Sequence, residues 1–98
     1  MAPIRYNGSA QAARERLRRV IKGLPRATIK VDTPSYLSVE VKSRFMGFID
    51  DVEFLFDNEH PIIHFRSAAR AGYYDFGVNR ARMESIFLAF QASEKVAD

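Results

Sequence analysis

Apolar residues occupy every second position in four runs along the middle of the chain, a pattern typical of β-strands with one buried face. In chain order, the runs contain Ala27, Ile29 and Val31; Leu37, Val39 and Val41; Val52, Phe54 and Phe56; and Ile63 and Phe65. Turn-forming residues separate the runs at 33–35, at Gly47 and at 57–61. Consecutive strands joined by short turns predict an antiparallel meander.

Apolar residues near the N-terminus recur instead at helical spacing. They predict a helix over 9–24, with Ser9 as its N-cap and with Gly23 and Pro25 ending it. The apolar stripe of this helix consists of Ala13, Leu17, Val20, Ile21 and Leu24. Such a stripe needs an apolar surface to cover it.

A second helical stripe, made of Met83, Ile86, Phe87 and Phe90, lies near the C-terminus. It predicts a helix from about Arg80 to Ala92, with Asn79 as its N-cap. Gly77 lies in the entry loop, where a backbone conformation with positive φ suits glycine. Residues 93–98 are expected to fray.

The predicted element order is therefore α-β-β-β-β-α. Two amphipathic helices and a sheet with one apolar face predict an α+β fold, a two-layer sandwich with a four-stranded antiparallel meander and both helices on one face. Residues 1–98 are expected to form one globular domain. The other face of the sheet is expected to be polar.

Composition supports a folded domain and excludes several chemistries. Of the 98 residues, 47% are hydrophobic and 12% are aromatic, which argues against disorder. Because the chain has no cysteine, disulfides, zinc thiolates and cysteine nucleophiles are excluded. The sequence contains neither a run of about 20 apolar residues nor a signal-peptide core, so it predicts no particular compartment.

The net charge of +3 is unevenly distributed. Residues 1–26 carry seven lysines and arginines against one acid, Glu15. This basic region predicts a solvated helix face, with Glu15 pairing with Arg19 at i, i+4. An alternative is a peripheral membrane adaptor, in which the basic helix binds acidic lipid. No stacking platform or helix-turn-helix accompanies it, so no specific nucleic-acid partner is predicted.

A cluster of arginines and aspartates around the second helix is the best candidate site. Arg80 and Arg82 lie in the first helical turn, where the helix dipole disfavours cations. Two interpretations are open: the arginines pair internally with Asp50, Asp51 or Asp75, or they form an anion site with the backbone amides. The candidate ligand-binding residues are Arg44, Asp50, Asp51, Arg70, Asp75, Asn79, Arg80 and Arg82.

Neighbouring positions on a strand point to opposite faces of the sheet, which separates Asp50 from Asp51. Asp50 shares the apolar side and is expected to need an arginine partner. Across the following hairpin, Glu53 is expected to lie near Arg66 and to form a cross-strand ion pair.

Catalytic and metal chemistry find little support in the sequence. His60 and His64 have the spacing of a helical metal pair, but Pro61 makes a helix there unfavourable, and no metal or cofactor is predicted. No serine nucleophile motif is present. A small hydrolase-like enzyme that uses Asp50 or Asp51 remains an alternative function.

Several motifs resemble one protein family over nearly the whole chain. They are Pro3-Ile4-Arg5-Tyr6, Leu24-Pro25-Arg26-Ala27, Tyr36-Leu37, Ser43-Arg44, residues 48–54, residues 63–72 and residues 75–84. Together they resemble the bacterial and plastid proteins grouped as domain of unknown function family 1499.

The resemblance implies no activity, because that family is uncharacterised. It also implies that related chains often carry a membrane or export segment, which does not occur in this sequence. We therefore expect a non-catalytic binding or interaction module, with an anionic small molecule or a protein as its partner. The sequence does not predict an oligomeric state.

Overall fold

The computed structural model describes residues 3–43, 48–70 and 77–96. They form five strands and two helices in the order β-α-β-β-β-β-α. The elements are β1 (Ile4–Arg5), α1 (Ala10–Lys22), β2 (Ala27–Thr33), β3 (Tyr36–Lys42), β4 (Ile49–Phe56), β5 (Ile62–Ala69) and α2 (Val78–Val96). The predicted α+β class is confirmed, with one strand more than expected.

The sheet is antiparallel throughout, with the strand order β1-β5-β4-β3-β2. Strands β2 to β5 form the predicted meander. The prediction of four strands is wrong because β1, only two residues long, pairs with β5 through Ile4 opposite Ile63. Two residues are too few for an alternating pattern to identify a strand. Ile4 is fully buried, so β1 contributes to the core as well as to the sheet.

Both helices cover the same face of the sheet, which we call the helix-side face; the opposite one is the open face. The core lies between the layers, where Phe54 and Val52 of β4 meet Leu17 of α1 and Phe90 of α2. Burying one large apolar side chain contributes roughly 1.5–3 kcal/mol. Both predicted stripes therefore stabilise this two-layer arrangement.

A register shift in β2 moves one apolar residue away from its predicted side. Ile29 opposes Val39, but after the shift Val31 opposes Ser38. Val31 therefore lies on the open face and is 40% exposed, although simple alternation predicts it in the core. The bulge also turns Asp32 toward the helix-side face, opposite Leu37.

Helix α1 begins and ends close to its predicted bounds. The Ser9 hydroxyl accepts a hydrogen bond from the Ala12 N–H (3.1 Å), which confirms the N-cap. The helix ends at Lys22, and Gly23 follows as its C-cap. Within the described ranges, no helix has the length and apolar character required to cross a membrane.

Helix α2 differs from its prediction at both ends. It begins at Val78, so Asn79 lies inside the first turn and does not cap it. Gly77 precedes the helix with φ 81°, as predicted, and its carbonyl accepts from the Ala81 N–H (3.0 Å). The helix continues to Val96, four residues beyond the predicted end at Ala92, and residues 97–98 lie outside the described residues.

Candidate functional site

The candidate residues separate into three groups in the fold. One group is buried on the helix-side face, one lies on the open face, and Arg80 lines a cavity at the start of α2. Arg44 and Asp75 lie outside the described residues. The single cluster predicted from the sequence is therefore distributed over both faces of the sheet.

The buried group joins β4 to the first turn of α2. The Arg82 Nη2 atom donates to the Asp50 Oδ2 atom at 2.9 Å. The two side chains are only 13% and 5% exposed. This contact confirms that Asp50 has an arginine partner, and it supports internal pairing for Arg82.

Asn79 extends this network to β5. Its side-chain oxygen accepts from Arg82 Nη1 (2.7 Å) and from the Ser67 hydroxyl. This is the physical reason that the predicted N-cap is wrong, since the buried amide is turned toward β5 and Arg82. The network, which we call the Asp50–Arg82 network, fixes the start of α2 against the sheet.

Arg80 differs from Arg82 in being 72% exposed on its side chain. Its ion pair with Glu84, one helical turn further on, is long at 3.8 Å, and Glu84 is itself more than half exposed. Exposed pairs of this kind contribute little to stability. The guanidinium of Arg80 is therefore accessible to another anion.

A cavity of about 230 Å³ lies beside Arg80, between β5 and the first two turns of α2. We call it the β5–α2 cavity. It is lined by Phe65, Ser67, Asn79, Arg80 and Met83. The lining combines an apolar floor with a hydroxyl, an amide and one cation. Such a combination suits a small group with an apolar stem and an anionic end.

Arg70 belongs to the open face. It donates to both carboxylate oxygens of Asp51 (2.6 and 3.0 Å) and to Glu40 (2.6 Å). Its hydrogen bonds hold the pKa of the Asp51 carboxyl below the usual value. Asp50 and Asp51 thus have separate arginine partners on opposite faces, as strand alternation predicts. Arg70 does not join Arg80 in one site.

A second open-face group confirms the predicted cross-strand pair. Glu53 opposes Arg66 in the β4–β5 register, and the Arg66 Nε atom lies 3.3 Å from Glu53 Oε1. The other Glu53 oxygen accepts from the Tyr36 hydroxyl at 2.9 Å. That hydrogen bond is the main reason that the pKa of Tyr36 is raised.

The two histidines meet at one carboxylate. Asp57 lies 3.1 Å from His64 Nε2 and 3.4 Å from His60 Nδ1. The His64 imidazole, and then the backbone N–H groups of Glu59 and His60, lower the pKa of Asp57. Among the described residues, no set of three or more acidic, histidine or cysteine side chains has an arrangement that could hold a metal ion.

Three arginines of the basic helix α1 have acidic partners within the domain. Arg14 and Arg18 both bind Asp32, which the β2 bulge turns toward α1. Arg16 is buried and binds Glu94 near the end of α2 at 2.9 Å. The predicted solvated face is therefore only partly correct.

Two further features of α1 differ from expectation. Glu15 pairs with Arg14 and Arg18, not with the predicted partner Arg19. The Arg16–Glu94 contact gives a physical reason for the helical conformation beyond Ala92. Glu94 lies four residues after Phe90, so it continues the α2 stripe. That spacing was the available signal that the helix extends.

Comparison with known proteins extends the earlier resemblance. A family model described as protein of unknown function (DUF1499) matches residues 1–90, which is most of the chain. Curated proteins include no match to this sequence. The matched range contains β1 to β5 and α2 as far as Phe90, so it includes the whole β5–α2 cavity.

Proposed function

The chain belongs to the DUF1499 family of proteins of unknown function, and we propose that this member is a non-catalytic binding module that takes a small anionic group in the β5–α2 cavity. The observation that carries the proposal is the exposed guanidinium of Arg80 at the edge of that cavity. Phosphate and carboxylate groups have the geometry that a guanidinium binds best.

The Asp50–Arg82 network supports the proposal by keeping the cavity in shape. Arg82 is neutralised by Asp50, so its role is to hold the first turn of α2 on the sheet. A preorganised site loses less conformational entropy when a ligand binds. Arg80 can then contact the ligand while Arg82 keeps the site rigid.

The size of the cavity limits the ligand. Pockets for drug-sized molecules measure roughly 300–1,000 Å³, and this one measures about 230 Å³. It therefore fits one side chain or one small group. A carboxylate on a short apolar stem would place its stem against Phe65 and Met83 and its charge beside Arg80.

The two alternative functions have weaker physical support. In an enzyme that uses Asp51 as a general acid, the carboxyl would need a raised pKa, whereas Arg70 lowers it. In a membrane adaptor that uses α1, the binding arginines would need to face lipid, whereas Arg14, Arg16 and Arg18 bind acids of the domain.

A titration followed by NMR tests the proposal. Inorganic phosphate, acetate and sulfate are added separately to ¹⁵N-labelled protein, with sodium chloride at equal ionic strength as the control for screening. We expect saturable shifts of the amides of residues 77–82, with dissociation constants of about 1–10 mM, equivalent to roughly 3–4 kcal/mol.

Two arginine variants separate specific binding from general attraction. Arg80→Gln removes the proposed contact and should abolish the saturable shifts. Arg66→Gln removes a similarly exposed cation from the open face and should leave them unchanged. Shifts that stay linear with anion concentration, or that survive Arg80→Gln, would refute the anion site.

A further inference from the structure

Within residues 3–43, 48–70 and 77–96, strand β5 has a free edge beyond the short strand β1. The β1 pairing covers only Ile62 and Ile63. From His64 to Ala69, the part of the chain that the structure describes supplies no strand on the side away from β4. Residues 65–69 would span roughly 17 Å along this edge.

The direction of the backbone groups follows from two hydrogen bonds at the ends of the β4–β5 pair. Asp57 N–H donates to the Ile62 carbonyl, and Arg70 N–H donates to the Ile49 carbonyl. Because bonded and non-bonded pairs alternate in an antiparallel ladder, the even-numbered residues from 62 to 70 face β4. The N–H and C=O groups of Phe65, Ser67 and Ala69 therefore point toward the free edge.

The charged side chains nearest this edge are two exposed arginines, Arg66 and Arg80, each with one long ion pair, to Glu53 at 3.3 Å and to Glu84 at 3.8 Å. Strand β5 contains no acid, and the first acid of α2 is Glu84, which is itself more than half exposed. Arg66 lies on the open face with 69% of its side chain exposed, and Arg80 lies on the helix side. The acids that pair with Arg66 of β5, and with Arg70 directly after it, come from the inner strands β3 and β4. The edge is thus complementary to an acidic chain.

We propose that β5 binds an extended acidic peptide, which adds a strand along Phe65, Ser67 and Ala69. Two neighbouring acidic residues of such a peptide point to opposite faces of the enlarged sheet. One carboxylate then meets Arg66, and the other enters the β5–α2 cavity beside Arg80. Main-chain hydrogen bonds provide affinity, and the two arginines select acidic sequences. The cavity contact rests on the proposed function.

Repulsion between like charges also disfavours the binding of a second copy of this chain at the β5 edge. In a symmetric β5–β5 pair centred on Ser67, the two Arg66 side chains would lie diagonally across one face. The two Arg80 side chains would be brought together on the other. Like charges across a strand pair are destabilising, and charged edges are a common protection against self-pairing.

Hydrogen exchange in the free protein provides the first test. The amides of Phe65, Ser67 and Ala69 should exchange much faster than those of His64, Arg66 and Ala68, which bond to β4. Equal protection of both sets would mean that the edge is already covered, and the proposal would be wrong. Protection that appears with rising protein concentration would assign the edge to a second copy instead.

The second test adds acetyl-Val-Thr-Glu-Glu-Thr-Val-amide to the full chain. We expect slowed exchange at Phe65, Ser67 and Ala69, and no binding by the peptide with both glutamates changed to glutamine. Arg66→Gln and Arg80→Gln should each weaken binding roughly two- to fivefold. Lys30→Gln, an exposed change on the opposite edge strand, should have no effect.

Peptide N-methylation distinguishes strand addition from simple charge attraction. Methyl groups on alternate peptide nitrogens block either the set that faces β5 or the set that faces solvent. One methylated series should therefore lose binding while the other keeps it, and equal binding by both would refute strand addition.

The two proposals can fail separately. Peptide shifts at residues 77–82 without protection at Phe65, Ser67 and Ala69 would leave the anion site standing and remove the edge proposal. The opposite result is that the peptide protects those three amides but phosphate and acetate do not shift the amides of residues 77–82. It would support peptide binding at the β5 edge and refute the anion site.

Discussion

The buried ion pair between Asp50 and Arg82 provides the most quantitative test of the architecture. Replacing Arg82 by methionine keeps most of the stem but removes the guanidinium. Asp50, 5% exposed, then loses a charged partner at 2.9 Å. Breaking a buried pair in this way costs about 3–5 kcal/mol. A domain of this size is typically stable by only about 5–15 kcal/mol.

The assay is urea denaturation followed by circular dichroism, together with thermal melting. A loss of about 3 kcal/mol should lower Tm by at least about 12 °C in a domain of this length. The matched control is Arg66→Met, which breaks the exposed pair with Glu53 and should cost less than about 1 kcal/mol.

A double variant isolates the interaction energy between Asp50 and Arg82. Asp50→Leu alone leaves Arg82 without its carboxylate, and Asp50→Leu with Arg82→Met replaces both charges by apolar groups. The double variant should lose less stability than the two single variants added together, because neither charge remains buried. If Arg82→Met costs no more than Arg66→Met, or if the single effects simply add, the buried pair does not anchor α2.

Three further predictions follow from contacts away from the cavity. Asp57→Asn should lower stability at neutral pH, because the charged carboxylate of Asp57, whose pKa is lowered in the folded protein, stabilises the fold. The difference in stability from wild type should shrink as the pH falls below about 4 and this carboxylate becomes protonated. A difference in urea midpoint that stays constant with pH would contradict this. Glu53→Gln should lower the pKa of Tyr36 toward 10, measured by NMR of labelled tyrosine; an unchanged titration would exclude the hydrogen bond as the cause. Glu94→Ala should destabilise the protein by about 3 kcal/mol, because Arg16 stays buried without its carboxylate; a neutral effect in urea would contradict that role.

The sequence predicts the parts of this fold that depend on periodicity. Alternation identifies the four strands of the meander, and helical spacing locates both helices. The same alternation separates Asp50 from Asp51 and brings Glu53 opposite Arg66. These features follow from local geometry, since strand and helix periods decide which side chains share a face.

The features that the sequence does not predict depend on contacts between distant residues. A bulge in β2 shifts the pairing register before Val31 by one position, and this shift is visible only in the pairing with β3. The length of α2 depends on Glu94 reaching Arg16, 78 positions earlier. Periodicity is a property of one segment of the sequence, so it cannot indicate contacts between segments that are far apart in the chain.

The candidate site also combines a feature that the sequence predicts with one that depends on contacts in the folded chain. The excess of arginine near the start of α2 predicts a candidate site in this region, and it also indicates that some of these arginines pair internally, as Arg82 does with Asp50. Which arginine does so depends on side-chain direction in the first turn. Arg82 turns inward to Asp50, whereas Arg80 turns outward beside the cavity. Two residues of one type, two positions apart, thus have different roles.

The most direct measurement of the central claim follows the Nε–Hε signals of Arg80 and Arg66 in one sample during a phosphate titration. We predict a saturable shift for Arg80 and only a small, linear drift for Arg66, since the two arginines are about equally exposed but only Arg80 lines the β5–α2 cavity. Identical linear responses of the two signals would contradict an anion site at the start of α2.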